Sequence, residues 1–483
     1  MTDINLNDVQ GYILRGYRID VARFFVLKIN DAGAAKKFLG GIVSGDQTFP
    51  QITTAEDWGP TKPDYCLNIG ITFEGLKSLQ LAQNYLSSFP QSFQLGATSP
   101  TTAQAIGDIG DSAPANWTGG LSDATQVHIV LTLYTHTDQG REEYSTVLRA
   151  LFNQYGLTEL SAQDTAPLPN DKIHFGYTDG ISQPHVDGAP TKAEIPDDQP
   201  VSPTGEFLMG YPSQNPYQTY NVSPAELSLN SSFAAYRILK QDVVAFDAFL
   251  EKVATEYQID KELFAAKLCG RWRNGVPLIL SPDTQYPNPP VPPKLVNCYD
   301  YVSSSSTTTN DETGTDQCLP AADDTFGLTC PIGSHMRRNN PRSEQVLGGA
   351  NEGHLHRIMR RAIPYGPEYD PANPDDIERG LIGMFINVDL ANQFEFLISQ
   401  WNDKSDFVKS VRGPGGINPV NNISGQDIFL GINDENTSSF TLSSSTGNQN
   451  ITGFGRFVIT RGGAYCYLPS ITAINYLAGL PNQ

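Results

Sequence analysis

GLIGMFINVDL, from Gly380 to Leu390, is followed without a break by ANQFEFLISQW, which ends at Trp401. The first run is apolar and predicts a β-strand, and the second spaces its apolar residues as an amphipathic helix does. The same pairing occurs earlier, where AAYRILKQ (Ala234 to Gln241) predicts a strand. Asp242 then begins a helix, because an aspartate accepts the free N–H groups of a first helical turn. The second half of the chain therefore contains two strand–helix units.

The first half of the chain has a similar order. RFFVLKI (Arg23 to Ile29) and VHIVLTLYT (Val127 to Thr135) predict strands, and a helical pattern follows each of them. Between these units lies CLNIGITF (Cys66 to Phe73), a further predicted strand, which is followed by the helical EGLKSLQLAQNYL. If that helix lies outside the sheet between two paired strands, the order is ferredoxin-like.

These patterns predict an α+β protein with two halves of similar order, residues 1–215 and 216–483, joined near residues 205–232. GRFVITRGGAYCYLP (Gly455 to Pro469) supplies the closing strands of the second half. A doubly wound α/β sheet is the alternative fold. No glycine-rich phosphate-binding loop follows any predicted strand, and this weakens the alternative.

Composition limits the class of protein. The 483 residues include 52 acidic and 32 basic side chains, a net charge of −20, with 39% hydrophobic and 17% charged residues. Such a chain is globular, and at about 100–200 residues per domain it holds several domains or a duplicated one. The negative charge argues against nucleic acid and against anionic membrane surfaces, because both bind clustered Lys and Arg.

The chain also lacks the usual signals for export, membrane insertion or zinc binding. The opening MTDINLNDVQGYILRGYR has no apolar signal-peptide core, and no apolar run approaches the ~18 residues of a membrane span. These features predict a cytoplasmic protein. The six cysteines form no C-x-x-C pair and are too sparse for a disulfide scaffold, so a structural zinc site is not expected.

Three low-complexity segments are rich in turn-forming residues and have little to bury, so each predicts a surface loop. They are residues 282–294, 303–316 and 433–450.

Four of the seven histidines lie outside the segments that suggest chemistry most strongly. His128 and His136 flank or lie within an apolar strand, where a core or edge position is the more common role. His354 and His356 alternate in GHLHR and could form a metal pair, but no third ligand stands at a known spacing.

Two segments have the residues for chemistry. HFGYTDGISQPHVDG, from His174 to Gly188, places Asp179 between glycines, where the backbone can approach a planar or anionic ligand. The alternative is an ordinary glycine-rich turn in which the aspartate only forms local hydrogen bonds.

The second segment, CPIGSHMRRNNPR from Cys330 to Arg342, combines one histidine with three arginines. Such a combination suits a ligand with both a metal and carboxylates, and haem is one: its iron binds histidine and its propionates bind arginine. A solvated basic face is the alternative. HRIMRRAIPYGPEYD follows, with Arg360 and Arg361 in an apolar stretch, where a buried arginine requires a partner.

Taken in order, GYTDG, CPIGSHMRRNNPR, RIMRRAIPYG and RGLIGMFINVDLANQFEFLISQW resemble the motifs of the dye-decolorizing peroxidase family of haem enzymes. VQGYILRGYR and RGGAYCYLPS extend the resemblance over most of the chain, which looks most like the longer, non-secreted bacterial branch, with fungal-type members next. The resemblance implies two ferredoxin-like halves of the dimeric α+β barrel type, with one haem b per chain against the C-terminal half. It places the G-x-x-D-G motif in the N-terminal half, and the proximal histidine and distal arginine in the C-terminal half.

The resemblance also assigns roles on the two sides of the haem. His335 corresponds to the proximal iron ligand, with Asp427 as its acidic partner and Asp389 as a second candidate for that role. Asp179 and Arg360 correspond to the distal acid–base residue and the distal arginine. The remaining correspondences are Arg342 with a haem propionate, Gly180, Ile181 and Ser182 with the haem edge, and Trp401 with a tryptophan that oxidises substrates at the surface. For Trp401, a packing role on an amphipathic helix is the alternative.

These roles predict a peroxidase that uses hydrogen peroxide to oxidise aromatic donors such as dyes and phenolics through a ferryl porphyrin radical. Asp179 would move a proton between the peroxide oxygens, and Arg360 would stabilise the charge on the leaving oxygen. Bulky dyes would be oxidised at the surface through Tyr or Trp. A haem-binding or iron-handling protein without catalysis needs only His335, and a copper or non-haem iron oxidase needs clustered histidines. The sequence predicts no oligomeric state.

Overall fold

The computed structural model describes residues 3–19, 21–190, 201–214, 218–301, 324–342, 356–404, 411–413, 416–418, 425–444 and 447–480. Eight strands form the main sheet: β1 (Val21–Ile29), β2 (Tyr65–Ile71), β3 (Ile129–Thr135), β4 (Leu157–Thr165), β5 (Ser232–Gln241), β6 (Met359–Tyr365), β7 (Gly380–Asn387) and β8 (Val458–Leu468).

Eleven α-helices and one π-helical segment surround this sheet in the described part of the chain. The α-helices are α1 (Gly11–Leu14), α2 (Ala32–Gly41), α3 (Phe73–Ser78), α4 (Gln83–Leu86), α5 (Gln91–Leu95), α6 (Pro100–Ala105), α7 (Asp138–Gln154), α8 (Val243–Tyr257), α9 (Lys261–Cys269), α10 (His335–Asn339) and α11 (Ile471–Ala478). The π-helical segment consists of Ala391–Glu395 and Leu397–Asn402.

Short elements complete the structure. Two-stranded pairs are formed by His185–Val186 with Val201–Ser202, Val411–Gly413 with Gly416–Asn418, and Ser439–Ser444 with Gly447–Thr452. Single 3₁₀ turns lie at Gly110–Ser112, Pro114–Asn116, Pro169–Asp171, Thr204–Glu206, Ala225–Leu227 and Pro293–Val296.

The strand order confirms the duplicated fold. The sheet runs β4-β1-β3-β2-β8-β5-β7-β6, and all neighbours are antiparallel. Counted within each half, both sets of four strands have the order 4-1-3-2. In each half a helix follows the first strand and the third strand, namely α2 and α7, then α8 and the π-helical segment. This is the ferredoxin-like arrangement predicted from the sequence.

The two halves form one continuous sheet that bends back on itself. They join at β2 and β8, where Ile71 pairs with Tyr467. At the outer strands, the N–H group of Ala166 donates to the carbonyl of Pro364 at 3.0 Å, so β4 and β6 also meet. This closure agrees with the predicted barrel type. The boundary between residues 215 and 216 stays a prediction.

Local sequence explains the helix starts. The Asp242 side chain accepts the N–H group of Ala245 at 3.0 Å and begins α8, as predicted. Asp31 does the same for α2 through Ala34 at 2.9 Å. Both caps satisfy N–H groups that a first helical turn leaves without intrahelical acceptors.

Three local predictions were incomplete or wrong. Residues 433–450, predicted as a loop, belong largely to the Ser439–Ser444 and Gly447–Thr452 hairpin, because Phe440, Leu442 and Ile451 bury one face of it. The helical pattern after β2 divides into α3 and α4. Strands β4 and β6 were not predicted. The 303–316 segment lies outside the described residues.

Two apolar clusters position the functional site. The larger one fills the first half and one face of the second-half sheet. The smaller one packs Phe175 and Tyr177 against Phe246 of α8, Phe264 of α9 and Phe429. The glycine-rich segment after His174 therefore packs on the second half, although it precedes residue 215. Among the described residues, no helix is long and apolar enough to cross a membrane.

Candidate functional site

A cavity that is partly open to solvent lies on one face of the second-half sheet. Its sheet wall is formed by Arg237, Leu239 and Gln241 of β5, Arg360 of β6, Leu381 and Phe385 of β7, and Val458 and Thr460 of β8. Asp179 and His335 also line this space. The structure therefore brings together three residues that lie far apart in the sequence.

His335 is the first residue of α10 and is held by a buried carboxylate. Its Nδ1 lies 2.9 Å from Oδ2 of Asp427. The other oxygen of Asp427 accepts the N–H groups of Phe429 and Leu430 at 2.9 and 2.8 Å. Burial by itself raises the pKa of this carboxyl, but His335 and these hydrogen bonds together bring the Asp427 pKa below its ordinary value. Nδ1 is thus engaged, so Nε2 is the ring nitrogen that would bind a metal.

The second candidate for the acidic partner lies elsewhere. Asp389 precedes the π-helical segment, and its Oδ1 accepts the N–H groups of Ala391 and Asn392, each at 3.1 Å. It serves as a local helix cap. Of the two aspartates, Asp427 is the one that contacts His335.

Asp179 and Arg360 form a looser pair on another part of the cavity wall. Arg360 Nη2 lies 3.5 Å from Oδ1 of Asp179 and donates to the carbonyl of Ser182 at 3.2 Å. The backbone N–H of Arg360 donates to the side chain of Gln183 at 3.1 Å. Both charged side chains are partly exposed. A carboxylate and a guanidinium at this distance can move a proton and stabilise a developing negative charge on a shared ligand.

The loop that carries Asp179 depends on glycine. Gly180 has φ of 73°, in the left-handed region that glycine adopts without strain. Ile181 and Ser182 line the cavity as predicted, whereas Gly180 is not among its lining residues. Gly180 instead turns the chain between Asp179 and Ile181.

Arg342 is not among the residues that line the cavity. Its guanidinium lies 3.7 Å from the ring centroid of Tyr299, and Nη1 donates to the carbonyl of Asn297 at 2.8 Å. Its Nε is buried and finds no acceptor in the described part of the chain. Other arginines do line the cavity, namely Arg237, Arg271, Arg357 and Arg456. Of these four, only Arg357 belongs to the two arginine-rich segments of the sequence, residues 330–342 and 356–370.

The arginines after His335 do not form a solvated face. Arg337 and Arg338 are both fully buried. Arg337 contacts the side chain of Asp324 at 3.1 Å, whereas Arg338 donates to backbone carbonyls, including that of Trp401. The solvated basic face was therefore the wrong alternative, because both guanidinium groups have internal acceptors.

Other histidines and Trp401 have structural roles. His128 accepts the N–H group of Ile29 through Nδ1 at 2.9 Å, which fits the predicted core position. His356 stacks on Phe396 with ring centroids 3.7 Å apart, and His354 lies outside the described residues. Trp401 is fully buried against Phe396 and His356, so it is a packing residue. The described residues contain no group of three or more His, Cys, Asp or Glu that could hold a metal ion.

Comparison with known proteins gives a consistent set of relatives. Peroxidase 2 of Mycetinis scorodonius is 30% identical over 487 residues, which cover 98% of this chain and 87% of the relative. Dye-decolorizing peroxidase msp1 of the same fungus is 28% identical with the same coverage. The crystal structure of a fungal DyP-type peroxidase from Auricularia auricula-judae matches with a TM-score of 0.79 and 26% identity, covering 99% of this chain and 100% of that one. No family model matches the chain.

These relatives are fungal, so they do not support the bacterial branch favoured by the sequence motifs. A bacterial relative, multifunctional dye peroxidase DyP2 of an Amycolatopsis strain, is 26% identical over 86% of this chain and 85% of the relative.

Proposed function

The chain belongs to the dye-decolorizing peroxidase family, and from that membership we propose that it is a haem peroxidase that uses hydrogen peroxide to oxidise aromatic donors such as dyes and phenolics. One observation carries the proposal at the level of the site. A single cavity has a histidine with a carboxylate partner on one wall and a carboxylate–arginine pair on another. The first pair suits an iron ligand, and the second suits the cleavage of a peroxide.

The residues around the cavity fit a haem. Apolar side chains such as Leu381, Phe385 and Phe429 suit the faces of a porphyrin. The buried Nε of Arg342, which lacks an acceptor among the described residues, suits a propionate, although Arg342 does not itself line the cavity. We therefore propose one haem b per chain, with His335 as its iron ligand. When bound, the haem supplies the redox centre that takes oxidising equivalents from peroxide and passes them to donors one electron at a time.

The protein residues control protons and charge around that centre. Asp427 fixes the orientation of His335 through Nδ1 and increases the electron density available at Nε2. Asp179 accepts a proton from one oxygen of hydrogen peroxide and returns it to the other, directly or through one water. Arg360 stabilises the negative charge that develops on the leaving oxygen. Ile181 and Ser182 would border the edge of the haem, and Gly180 turns the loop that carries them.

A non-catalytic haem-binding or iron-handling protein is the rival proposal. It requires His335 but gives no reason for Asp179 and Arg360 to face the same cavity. Their position therefore favours the enzyme.

Two further predictions concern organisation and location. We propose that the halves meet at residues 215 and 216, whereas the cytoplasmic location stays a prediction from the sequence. Cys298 is disulfide-bonded, and disulfides persist mainly in oxidising compartments, so this bond weighs against a cytoplasmic location. Cell fractionation of the native source tests the location.

The visible spectrum of the purified protein tests the function. We expect a Soret band in the wild type and in His136→Ala, a control that replaces an exposed histidine. The band should be lost in His335→Ala. Peroxide-dependent oxidation of a dye should occur in the wild type and be lost in Arg360→Ala. A colourless protein that cannot be reconstituted with haem would contradict the proposal.

A further inference from the structure

The fully buried guanidinium of Arg338 joins three chain segments beneath the His335–Asp427 pair. Its Nε donates to the carbonyl of Gly333, just before α10, at 3.1 Å. Its Nη1 donates to the carbonyls of Trp401 and of Lys404, the latter at 3.1 Å. Its Nη2 donates to the carbonyl of Gly425. One side chain thus connects the segment before the histidine, the end of the π-helical segment and the segment that leads to Asp427.

A second set of contacts connects the same three segments. The backbone N–H of Asp427 donates to the carbonyl of Asn402 at 2.8 Å. Asn339 of α10 exchanges side-chain hydrogen bonds with Asn402 at 3.2 and 3.3 Å, and its Nδ2 also lies 3.3 Å from Nδ1 of His335. The end of the π-helical segment is therefore the common support for both members of the His335–Asp427 pair.

This arrangement requires an arginine. The planar guanidinium has five N–H donors in a fixed fork, so it can reach acceptors in several directions at once. Burial lowers the pKa of Arg338 to about 10, so the group remains protonated at neutral pH. A lysine could keep the charge and much of the volume, but its compact ammonium could not bond all three segments.

Arg337 shows that burial alone does not confer this role. It is the neighbouring residue and equally buried, but its contacts are with Asp324 and with the carbonyl of Cys330. Neither partner lies in the π-helical segment or in the segment that leads to Asp427. Arg337 is therefore a matched control for Arg338.

From these contacts we propose that Arg338 is a positioning residue, which holds Asp427 on Nδ1 of His335 and thereby tunes the reduction potential of the iron. The inference rests on the proposed function, because it requires haem bound at His335. A carboxylate on the distant ring nitrogen makes an iron-bound histidine a better electron donor, which stabilises the oxidised iron and lowers its potential. A misplaced Asp427 therefore raises the potential.

The test is a double-mutant cycle read out as the Fe(III)/Fe(II) midpoint potential of haem-loaded protein. Asp427→Asn should raise the potential. Arg338→Lys should shift it in the same direction by a smaller amount, although the positive charge is retained. In the Asp427→Asn background Arg338→Lys should produce no additional shift, because it acts through Asp427. Arg337→Lys should leave the potential at the wild-type value.

Asn402→Ala gives an independent route if Arg338→Lys does not retain haem. It removes the amide contact with Asn339 while both arginines remain, and we expect the same upward shift and the same absence of additivity with Asp427→Asn. A wild-type potential in Arg338→Lys would overturn the inference, and so would an equal shift in the wild-type and Asp427→Asn backgrounds. If Arg338→Lys does not retain haem, either of these results in Asn402→Ala would overturn it. A protein with no Soret band would instead overturn the proposed function, so the two failures are distinguishable.

Discussion

The cavity has two pairs of polar side chains, His335–Asp427 and Asp179–Arg360, and they differ in how firmly they are held. On the His335 wall, the side chain of Asp427 is 0% exposed and that of His335 is 21% exposed, and their atoms meet at 2.9 Å. On the wall that carries Asp179, the side chains of Arg360 and Asp179 are 31% and 35% exposed and lie 3.5 Å apart. Asp427 accepts two backbone N–H groups in addition to His335, whereas the backbone around Asp179 holds the loop and not the carboxylate.

The difference corresponds to the two tasks that we propose. A metal ligand must keep one orientation, and buried hydrogen bonds provide it. A residue that moves a proton on an incoming small molecule must be reached from solvent and must exchange partners. The rigid wall should therefore control haem binding and potential, and the open wall should control the reaction with peroxide.

The largest effect on rate is expected from the open wall. Arg360→Ala should slow the reaction with hydrogen peroxide by about 10³-fold, near the upper end for the loss of one charge-stabilising donor. Asp179→Ala should slow it by about 10²-fold, the lower end for a general acid–base group. Arg360 should matter more because water reaches the partly exposed site and can carry a proton, but it cannot replace a fixed positive charge. Stopped-flow measurement of haem-loaded variants gives both rates.

Arg149→Ala is the control for this comparison, because Arg149 pairs with Glu159 in the first half of the chain and does not line the cavity. Its rate should equal that of the wild type. A slower reaction in Asp179→Ala than in Arg360→Ala would reverse the order of importance on the open wall.

The pH dependence should also belong to the open wall. Asp179→His replaces the proposed proton acceptor by an imidazole, and a histidine side chain titrates near pH 6.5 in the absence of other influences. In Asp179→His the rate of reaction with peroxide should fall as the pH decreases through about 6.5, because the imidazole becomes protonated. Asp247→His, at an exposed ion pair with Lys261, should keep the wild-type profile. If the rate of reaction with peroxide in Asp179→His stayed at its wild-type value in acid, Asp179 would not be the group that accepts the proton.

On the rigid wall the effect should appear in cofactor affinity. Asp427→Asn should weaken haem binding by about 10-fold to 100-fold, the usual cost of losing the partner of a metal-bound histidine. Titration of the apoprotein with haem, followed at the Soret band, measures this change. Asp389→Asn is the matched control, since Asp389 caps the π-helical segment and Asp427 is the aspartate that contacts His335. Equal affinities for haem in Asp427→Asn and Asp389→Asn would contradict the proposal that Asp427 is the aspartate that supports His335.

Elements with short-range patterns were predictable from the sequence. The strands β1, β3, β5 and β7 are apolar runs followed by helical spacing, and Asp242 is a local cap. Strands β4 and β6 were missed because both are outer strands, and LTELSAQDT and MRRAIPY do not have the apolar pattern of a central strand. Pro364 within β6 is compatible with an edge position, where an N–H group is not required for the ladder.

The site was predictable only where a motif marks it. Asp179, His335 and Arg360 stand in recognisable motifs, and the structure places all three at one cavity. The supporting contacts of Arg338 could not be predicted, because its acceptors are backbone carbonyls 63 and 87 residues away, at Trp401 and Gly425. No residue type marks such a carbonyl in a sequence.

The smallest effect on activity is expected at Asp403, a partly buried residue that does not line the cavity. Burial, opposed by the N–H group of Ile432 and by Arg456, raises the Asp403 pKa to about 7. One of its oxygens is buried without a partner among the described residues. The folded state therefore binds a proton here that the unfolded state releases near pH 3.9, so this carboxyl makes the protein progressively less stable as the pH rises from about 4 to about 7.

Asp403→Asn removes this titration. At about 1.4 kcal/mol per pKa unit, the variant should gain about 2–4 kcal/mol in free energy of unfolding relative to the wild type between pH 4 and pH 8. The gain should be present at pH 8, be lost as the pH falls through 7 towards 4, and leave the rate with peroxide unchanged.

Asp376→Asn, at an exposed position, controls for the general effect of removing a negative charge from an acidic protein. Urea denaturation at several pH values measures the difference, and a gain independent of pH would mean that Asp403 is already ionised in the folded protein. The packing that fixes His335 and Asp427 also encloses one oxygen of Asp403, and this carboxyl lacks an ion-pair partner within the described residues. A buried carboxylate without such a partner destabilises the protein at neutral pH, so the firmly held pair has a cost in stability.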